Sequence, residues 1–348
     1  MLKIGEKEIP STLEDYLYAL QQRNLVYNHD FRYFSNQMPN QPTMDYGIPD
    51  GWQYEDPGPD GRFSFNPETQ QIEIIKSSGE EEMMFKQAIH EFPRWQQQLL
   101  GKTITAKVCL VNSAGSVMVS LTDGIDTSTR TVKEAGETEV VVSLQVNEEA
   151  QSVYIIISSS VAFSNIKISQ AFANVGNIAL ENLACIVKGI IGQRHQYVAT
   201  ETPPAEELSL CNAPIELCSE PYPNTTRLNT VINHRFGTGP NGYSLLIDMR
   251  GYFSRAWDHG AGVDPDAEER TFPRDGEVIG DKVGTFEGDV FLKHDHGLNF
   301  ALQPGALGGD KAPITVINAA KTSETEVEDE GLETRSVNIM ELFTIVWA

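Results

Sequence analysis

A mainly β chain, with one short helix ahead of an antiparallel sandwich, is the fold class that this 348-residue sequence predicts. Three observations point there. From Leu25 to about Gln170, short runs rich in β-branched residues (KTITAKVCLV, SVMVSLTDG, EVVVSLQV, SVYIIISSS) are separated by Gly, Asn, Asp or Glu, which is how strands and their turns read. Helical periodicity is scarce in this stretch apart from EEEMMFKQAIHEFPRW. Beyond it, Gly237 to Gly309 is dense in Gly, Asp and Asn. About seventy residues of that composition cannot bury enough apolar area as one compact layer, so the region is either disordered or held by copies of itself or by a metal ion.

The elements follow in chain order. Ser11-Thr12-Leu13-Glu14 has the form of a helix start, and Leu13, Tyr16, Leu17 and Leu20 follow at helical spacing, with an end expected near Arg23-Asn24. So short a helix is marginal alone and must pack on its own domain, on its copies or on a larger assembly. Residues 28–70 carry Pro39, Pro42, Pro49, Pro57, Pro59 and Pro67 among many Asn and Gly, and read as long, irregular loop. The strand-rich stretch after them suggests an antiparallel sandwich. Residues 180–230 are mixed, punctuated by Pro203-Pro204, Pro214, Pro221 and Pro223. Gly237-Thr238-Gly239 lacks the strand-to-helix context of a nucleotide site and reads as a turn. There is no internal repeat.

A chain this long has room for two or three domains. Its net charge is −23, with acidic runs such as Glu80-Glu81-Glu82 and Glu326 to Glu330 dispersed along it. That describes a solvated surface and argues against binding nucleic acid or an anionic membrane. Membrane insertion is not expected, since no apolar run reaches transmembrane length. The N-terminal MLKIGEKEIPSTLEDYL is charged throughout and lacks an apolar signal core, so synthesis in the cytoplasm is expected, with exit, if any, by a route such as lysis. Cys109, Cys185, Cys211 and Cys218 show no Cys-x-x-Cys pair, which argues against a zinc knuckle. Cys211 and Cys218 could form a local disulfide; reduced and partly buried is the default reading.

His294-Asp295-His296 places two imidazoles two residues apart. On an extended segment they point the same way, with Cβ atoms ~6–7 Å apart. Such a pair can grip a metal ion without completing its shell, so further ligands must come from elsewhere in the chain or from copies of it. An ordinary exposed pair is the alternative. His259 is a weaker metal candidate, with an exposed turn histidine as its other reading.

Asn24-Leu25, Asn28-His29-Asp30-Phe31 and Gly51-Trp52, with the closing SNIKISQAFANVG, resemble the jelly rolls of carbohydrate-binding modules over residues 24–178, with His29 where Gly is usual. The resemblance implies a sandwich of about eight strands and permits sugar binding, which requires exposed aromatic platforms flanked by polar groups. Trp52, Tyr54 and Trp95 are the candidates; packing in the core or rim is the alternative for each.

Residues 184–348 resemble the tail-collar domain of phage tail fibres. The carrying residues run in order: Leu208, Leu210, Cys211, Asn212, Tyr222, Pro223, Val231, Ile232, Phe236, Gly237, Asp248, Arg250, Gly251, Phe253, Arg255, Trp257, Asp258, Gly262, Asp264 and Pro265. Gly331, Glu333, Thr334, Arg335 and Asn338 then match the family's ending. Ile247, Ala256 and Ser336 are departures. The resemblance implies a homotrimer in which His294 and His296 of three chains supply six nitrogens to iron, or to zinc, on the threefold axis. Asp248, Arg250, Arg255, Asp258, Glu333 and Arg335 are expected to be structural; the charges of Asp248, Arg250, Arg255, Asp258 and Asp264 are expected to pack among Phe253 and Trp257 and to pair through the planar arginine fork.

The expected plan is a docking segment (1–24), a jelly roll (25–180), a tail-collar domain (184–260) and a receptor-binding tip (261–348). The expected role is a virion tail-fibre protein of a tailed phage or phage-tail-like particle. Its N-terminus would meet the baseplate, and its tip a host surface polysaccharide or protein receptor. Catalysis is not expected. A polysaccharide-cleaving tailspike would need a carboxylate pair at a cleft, and the chain shows neither a β-helix repeat nor a Gly-x-Ser-x-Gly motif. A purely structural fibre or adaptor is the other alternative.

Overall fold

The computed structural model describes residues 13–35, 47–58, 60–212, 214–272, 278–288 and 338–348. The chain divides into two compact units, Met1–Phe286 with Glu341–Ala348, and Glu287–Met340. All that follows concerns the first.

Helix α1 spans Leu13–Leu20, ending with its apolar stripe and short of the expected Arg23-Asn24. Its buried contact is Ala19 against Ile178 and Leu180, with Tyr16 alongside. Leu13, Leu17 and Leu20 are 65%, 49% and 49% exposed, so most of the predicted stripe faces outward. The small alanine allows close approach, and Asn177 ties the helix down by donating to Asp15 at 3.0 Å.

Ten strands form the sandwich. They are β1 (Gln53–Glu55), β2 (Arg62–Asn66), β3 (Gln71–Ile75), β4 (Met83–Ala88), β5 (Thr103–Ala114), β6 (Val117–Thr122), β7 (Thr127–Val132), β8 (Gly136–Gln145), β9 (Tyr154–Ser159) and β10 (Asn165–Val175). They pair antiparallel as two five-stranded sheets, ordered β1-β4-β9-β6-β7 and β2-β3-β10-β5-β8. The architecture is a jelly-roll-type β-sandwich. Alternation explains it: in β8, Val140, Val142 and Leu144 point into the core while Glu139, Val141 and Ser143 are exposed.

Two expectations are corrected. The helix-like stretch around EEEMMFKQAIHEFPRW is mostly strand: β4 buries Met83 and Phe85 between β1 and β9, and only Trp95–Leu99 forms a helix, α2. Core packing on alternate residues overrides the helical spacing. Residues 28–70 are not simply loop either, since they contain β1 and β2. Asn28 organises the turn before them: its Oδ1 accepts from Arg32 and Tyr33 N–H, and its Nδ2 donates to the Tyr33 and Asp50 carbonyls.

A smaller lobe follows, with β11 (Arg194–Tyr197), β12 (Glu207–Ser209), helix α3 (Thr226–Ile232) and β13 (Leu342–Val346). β13 lies between β11 and β12. The expected 261–348 block is therefore corrected: residues 341–348 return to the same sheet as residues 194–209, and residues 261–286 also belong to the first unit. The four cysteines are free.

A buried joint connects lobe and sandwich. Glu91, shortly after β4, accepts from the Thr226 and Arg227 N–H groups at 2.6 and 2.8 Å, from the Thr226 hydroxyl, and from Arg227 Nε at 3.3 Å. Arg227 also donates to the Glu91 carbonyl. The side chains of Arg227 and Glu91 are 0% and 1% exposed. A sandwich carboxylate thus satisfies the first N–H groups of α3, which no intrahelical acceptor can reach.

Candidate functional site

The same joint leaves a cleft of about 180 Å³ between the segment Ile48–Glu55 and the end of α3. Two local features shape it. Gly51 has φ +84°, and a Cβ there would come within 2.8 Å of the Tyr27 ring, so only glycine lets the chain pass. Asn233 takes the left-handed conformation just past α3, at φ 47° and ψ 55°, where asparagine is tolerated.

The floor is fixed. Trp52 is 1% exposed and stacks on Phe85 with centroids 4.4 Å apart and planes 7° apart. Asp50 accepts from Ser35 N–H at 2.7 Å and from its hydroxyl at 2.6 Å. Burial pushes the Asp50 carboxyl up, against the opposing pull of those bonds. Along one wall, Gln53 sits beside Tyr54, whose ring packs on Phe63 and whose hydroxyl donates to Asp56. Burial holds that phenol protonated. Glu55 is paired with Lys86 at 2.8 Å. On the opposite wall, Asn229 Oδ1 accepts from Ser244 N–H at 2.8 Å, and His234 Nδ1 meets the Thr238 hydroxyl at 2.9 Å. Asn233 Nδ2 is buried without a hydrogen-bond partner. Amides, an imidazole and carboxylates thus converge on one space, which suits hydrogen bonding to a polar ligand.

The sequence-predicted residues are dispersed. Trp52 and Trp95 are core residues, Trp95 lying 5% exposed and edge-on to His90. They offer no face to a sugar, which corrects that expectation. Tyr54 is half-buried and borders the cleft. Arg250 is bidentate on Asp248, with Nη2 at 2.5 Å from Oδ2 and Nε at 2.9 Å from Oδ1. Arg255 and Arg270 both reach Asp264, at 3.2 and 2.8 Å. Asp258 accepts from the N–H groups of Gly262, Val263 and Asp264, each at 2.8 Å. Those donors, Asp264 foremost, hold its carboxyl below the usual range.

These charges are not packed among aromatic rings as expected. Phe253 is 79% exposed, and Trp257 stacks on His259 at 4.1 Å. His294, His296, Glu333 and Arg335 lie outside the described residues. Among the described residues, Cys109, Glu139 and Glu181 could together face a metal. The Lys107 ammonium already contacts both carboxylates, and burial pushes the Cys109 thiol up to about 11.

Asn229, Asn233 and His234 were missed because VINH reads as the tail of an apolar helix. The available signal was the i, i+4 pairing of Asn229 and Asn233.

No family model matches the chain. A stretch of 95 residues is 33% identical to Protein RhiB of Rhizobium leguminosarum bv. viciae, covering 27% of this chain and 43% of that protein. Similar solved structures include TmCBM61 in complex with β-1,4-galactotriose, at 12% identity over 43% of this chain and 97% of that one, with a TM-score of 0.31. A CBM4 structure aligns at 16% identity over 43% of this chain and 99% of that one, with a TM-score of 0.32. The enzymatically active domain of tailspike protein 4 of bacteriophage CBA120 aligns at 15% identity over 44% of this chain and 21% of that one, with a TM-score of 0.30. The sandwich assignment rests on strand order and register, not on these likenesses.

Proposed function

We propose that this chain is a glycan-binding adhesion protein, a homotrimeric tail fibre of a tailed phage or phage-tail-like particle. Its N-terminal segment would dock on the baseplate, and its tip would meet a surface polysaccharide or protein receptor. The observation that carries the reading is the return of β13. Residues 342–346 pair between β11 and β12 within the first unit. The last residues of the chain thus belong to the same sheet as residues 194–209, far before them in sequence, which fits a fibre domain whose end packs back on its own start.

A second observation supports copies of the chain as partners. Phe253, Val263, Ile279 and Val283 are 79%, 80%, 60% and 54% exposed. Large apolar side chains this exposed, repeated within one span, are what an oligomer interface leaves on an isolated chain. In this reading His294 and His296 of three chains hold iron, or zinc, a role carried by the motif together with the resemblance to tail fibres. The metal would add its binding free energy to folding. Weak single contacts at each tip become firm adhesion when several engage together.

Native mass spectrometry with elemental analysis tests the assembly. The expected result is three chains with bound metal; a folded monomer without metal would overturn the trimer reading.

A further inference from the structure

We propose that the cleft between β1 and α3 is a saccharide subsite that takes one neutral sugar unit of a surface glycan. This deepens the adhesion reading and rests on it.

Size comes first. The cleft's volume of about 180 Å³ equals that of roughly six waters at their ~30 Å³ share of the liquid. That suits a single pyranose ring rather than a chain of them. Chemistry narrows the ligand further. Gln53, Asn229, Asn233 and His234 border the space, and amides and imidazole both donate and accept, as an array of hydroxyls requires. Asn233 Nδ2 is a buried donor with no partner. Such a group is costly to leave unpaired; it is covered as the wall stands, and a turn of the Asn233 side chain, which lines the cleft, would bring it to a sugar hydroxyl or ring oxygen.

Charge then selects. Asp50 and Glu55 also border the cleft, and Lys86, the cation beside it, is engaged by Glu55. The chain as a whole carries −23. An acidic sugar or a phosphate would meet repulsion, with no lysine or arginine among the described lining residues. Rigidity completes the case. One wall belongs to the sandwich and the other to α3, and the buried Glu91–Arg227 pair fixes them against each other, so the walls are pre-organised. With Trp52 sunk in the floor, binding depends on hydrogen bonds rather than on aromatic stacking. It is therefore weak per site and suited to multivalent use.

Ligand-observed saturation-transfer NMR on the full chain provides the test. The probes are methyl glycosides of galactose, glucose and mannose, with methyl glucuronide as the acidic comparator. Transfer to at least one neutral glycoside and none to the glucuronide is expected. Asn233→Gly, which keeps the left-handed backbone accessible, and Gln53→Ala, on the opposite wall, should each weaken binding at least tenfold with an unchanged melting temperature. Parent-like binding in both variants would overturn the cleft while leaving glycan adhesion standing, because the sugar would then sit elsewhere. Equal binding of the glucuronide would overturn the selectivity for neutral sugars. Transfer to none of the four probes would overturn the subsite, whereas a monomeric, metal-free chain would fault the fibre reading alone.

Discussion

The sandwich and the C-terminal lobe solve the same problem differently. The sandwich closes two five-stranded sheets over a core drawn mostly from Leu25 to Val175, with Trp52, Phe31 and Phe85 among its largest fully buried members. The lobe has a smaller core around Leu217, Leu228 and Ile345 and borrows Tyr27 from the sandwich. It also borrows the cap of its helix from Glu91, and its central strand comes from the last residues of the chain. A unit assembled from parts so distant in sequence depends on its neighbours, whereas the sandwich takes from outside itself only Ala348, with Ile186 and Trp347 packed against its core.

The sharpest way to break that contrast is Glu91→Ala. It strands the Arg227 guanidinium in a buried site and removes acceptors from the N–H groups of α3. Breaking a buried pair from one side costs about 3–5 kcal/mol. Urea unfolding should show that loss, and limited proteolysis should cut the lobe while the sandwich resists. Equal cleavage of both regions would mean that they fold as one cooperative body.

A second contrast concerns the tip and predicts a large change in assembly with little change in the sandwich. His294→Ala together with His296→Ala should strip the bound metal and loosen the trimer, leaving the melting of the sandwich as in the parent. Elemental analysis of the purified protein reads this directly, and an unchanged metal content would refute the two histidines as ligands.

What was legible in the sequence follows the same divide. The strands of the sandwich could be read because alternation is a local signal, as in Val140, Val142 and Leu144. β4 was misread because Met83, Phe85 and Ile89 also fit other spacings until their neighbours are known. Trp52 and Trp95 show that residue type does not reveal which face a ring presents. The joint was invisible: Glu91 and Arg227 are 136 residues apart, and no motif links them. The cleft was hidden for the same reason, since Gln53 and Asn233 meet only once α3 is seated on the sandwich.

The smallest effect expected is one of pH, and it sits at the joint. His90 is 3% exposed and lies between Trp95 and Tyr154, at ring distances of 5.0 and 5.6 Å. Its Nδ1 and Val153 N–H are 3.1 Å apart. Burial lowers its pKa; Glu91, the Val153 backbone and Asn224 pull it upward, and Arg227 adds to the lowering. The unfolded chain therefore takes up a proton near the ordinary histidine value of about 6.5, while the folded chain resists it. Protons then bind preferentially to the unfolded state, so this contribution is complete above that pH and is lost as pH falls toward the folded value. One such group changes stability by at most about 1.4 kcal/mol per pH unit. Urea unfolding of the parent and of His90→Gln between pH 7.5 and 5.5 isolates it from the other histidines, and the parent should show the steeper decline. Parallel slopes would mean that His90 accepts its proton inside the fold as readily as outside it, which a ring wedged between two aromatic side chains beside the Arg227 guanidinium should not do.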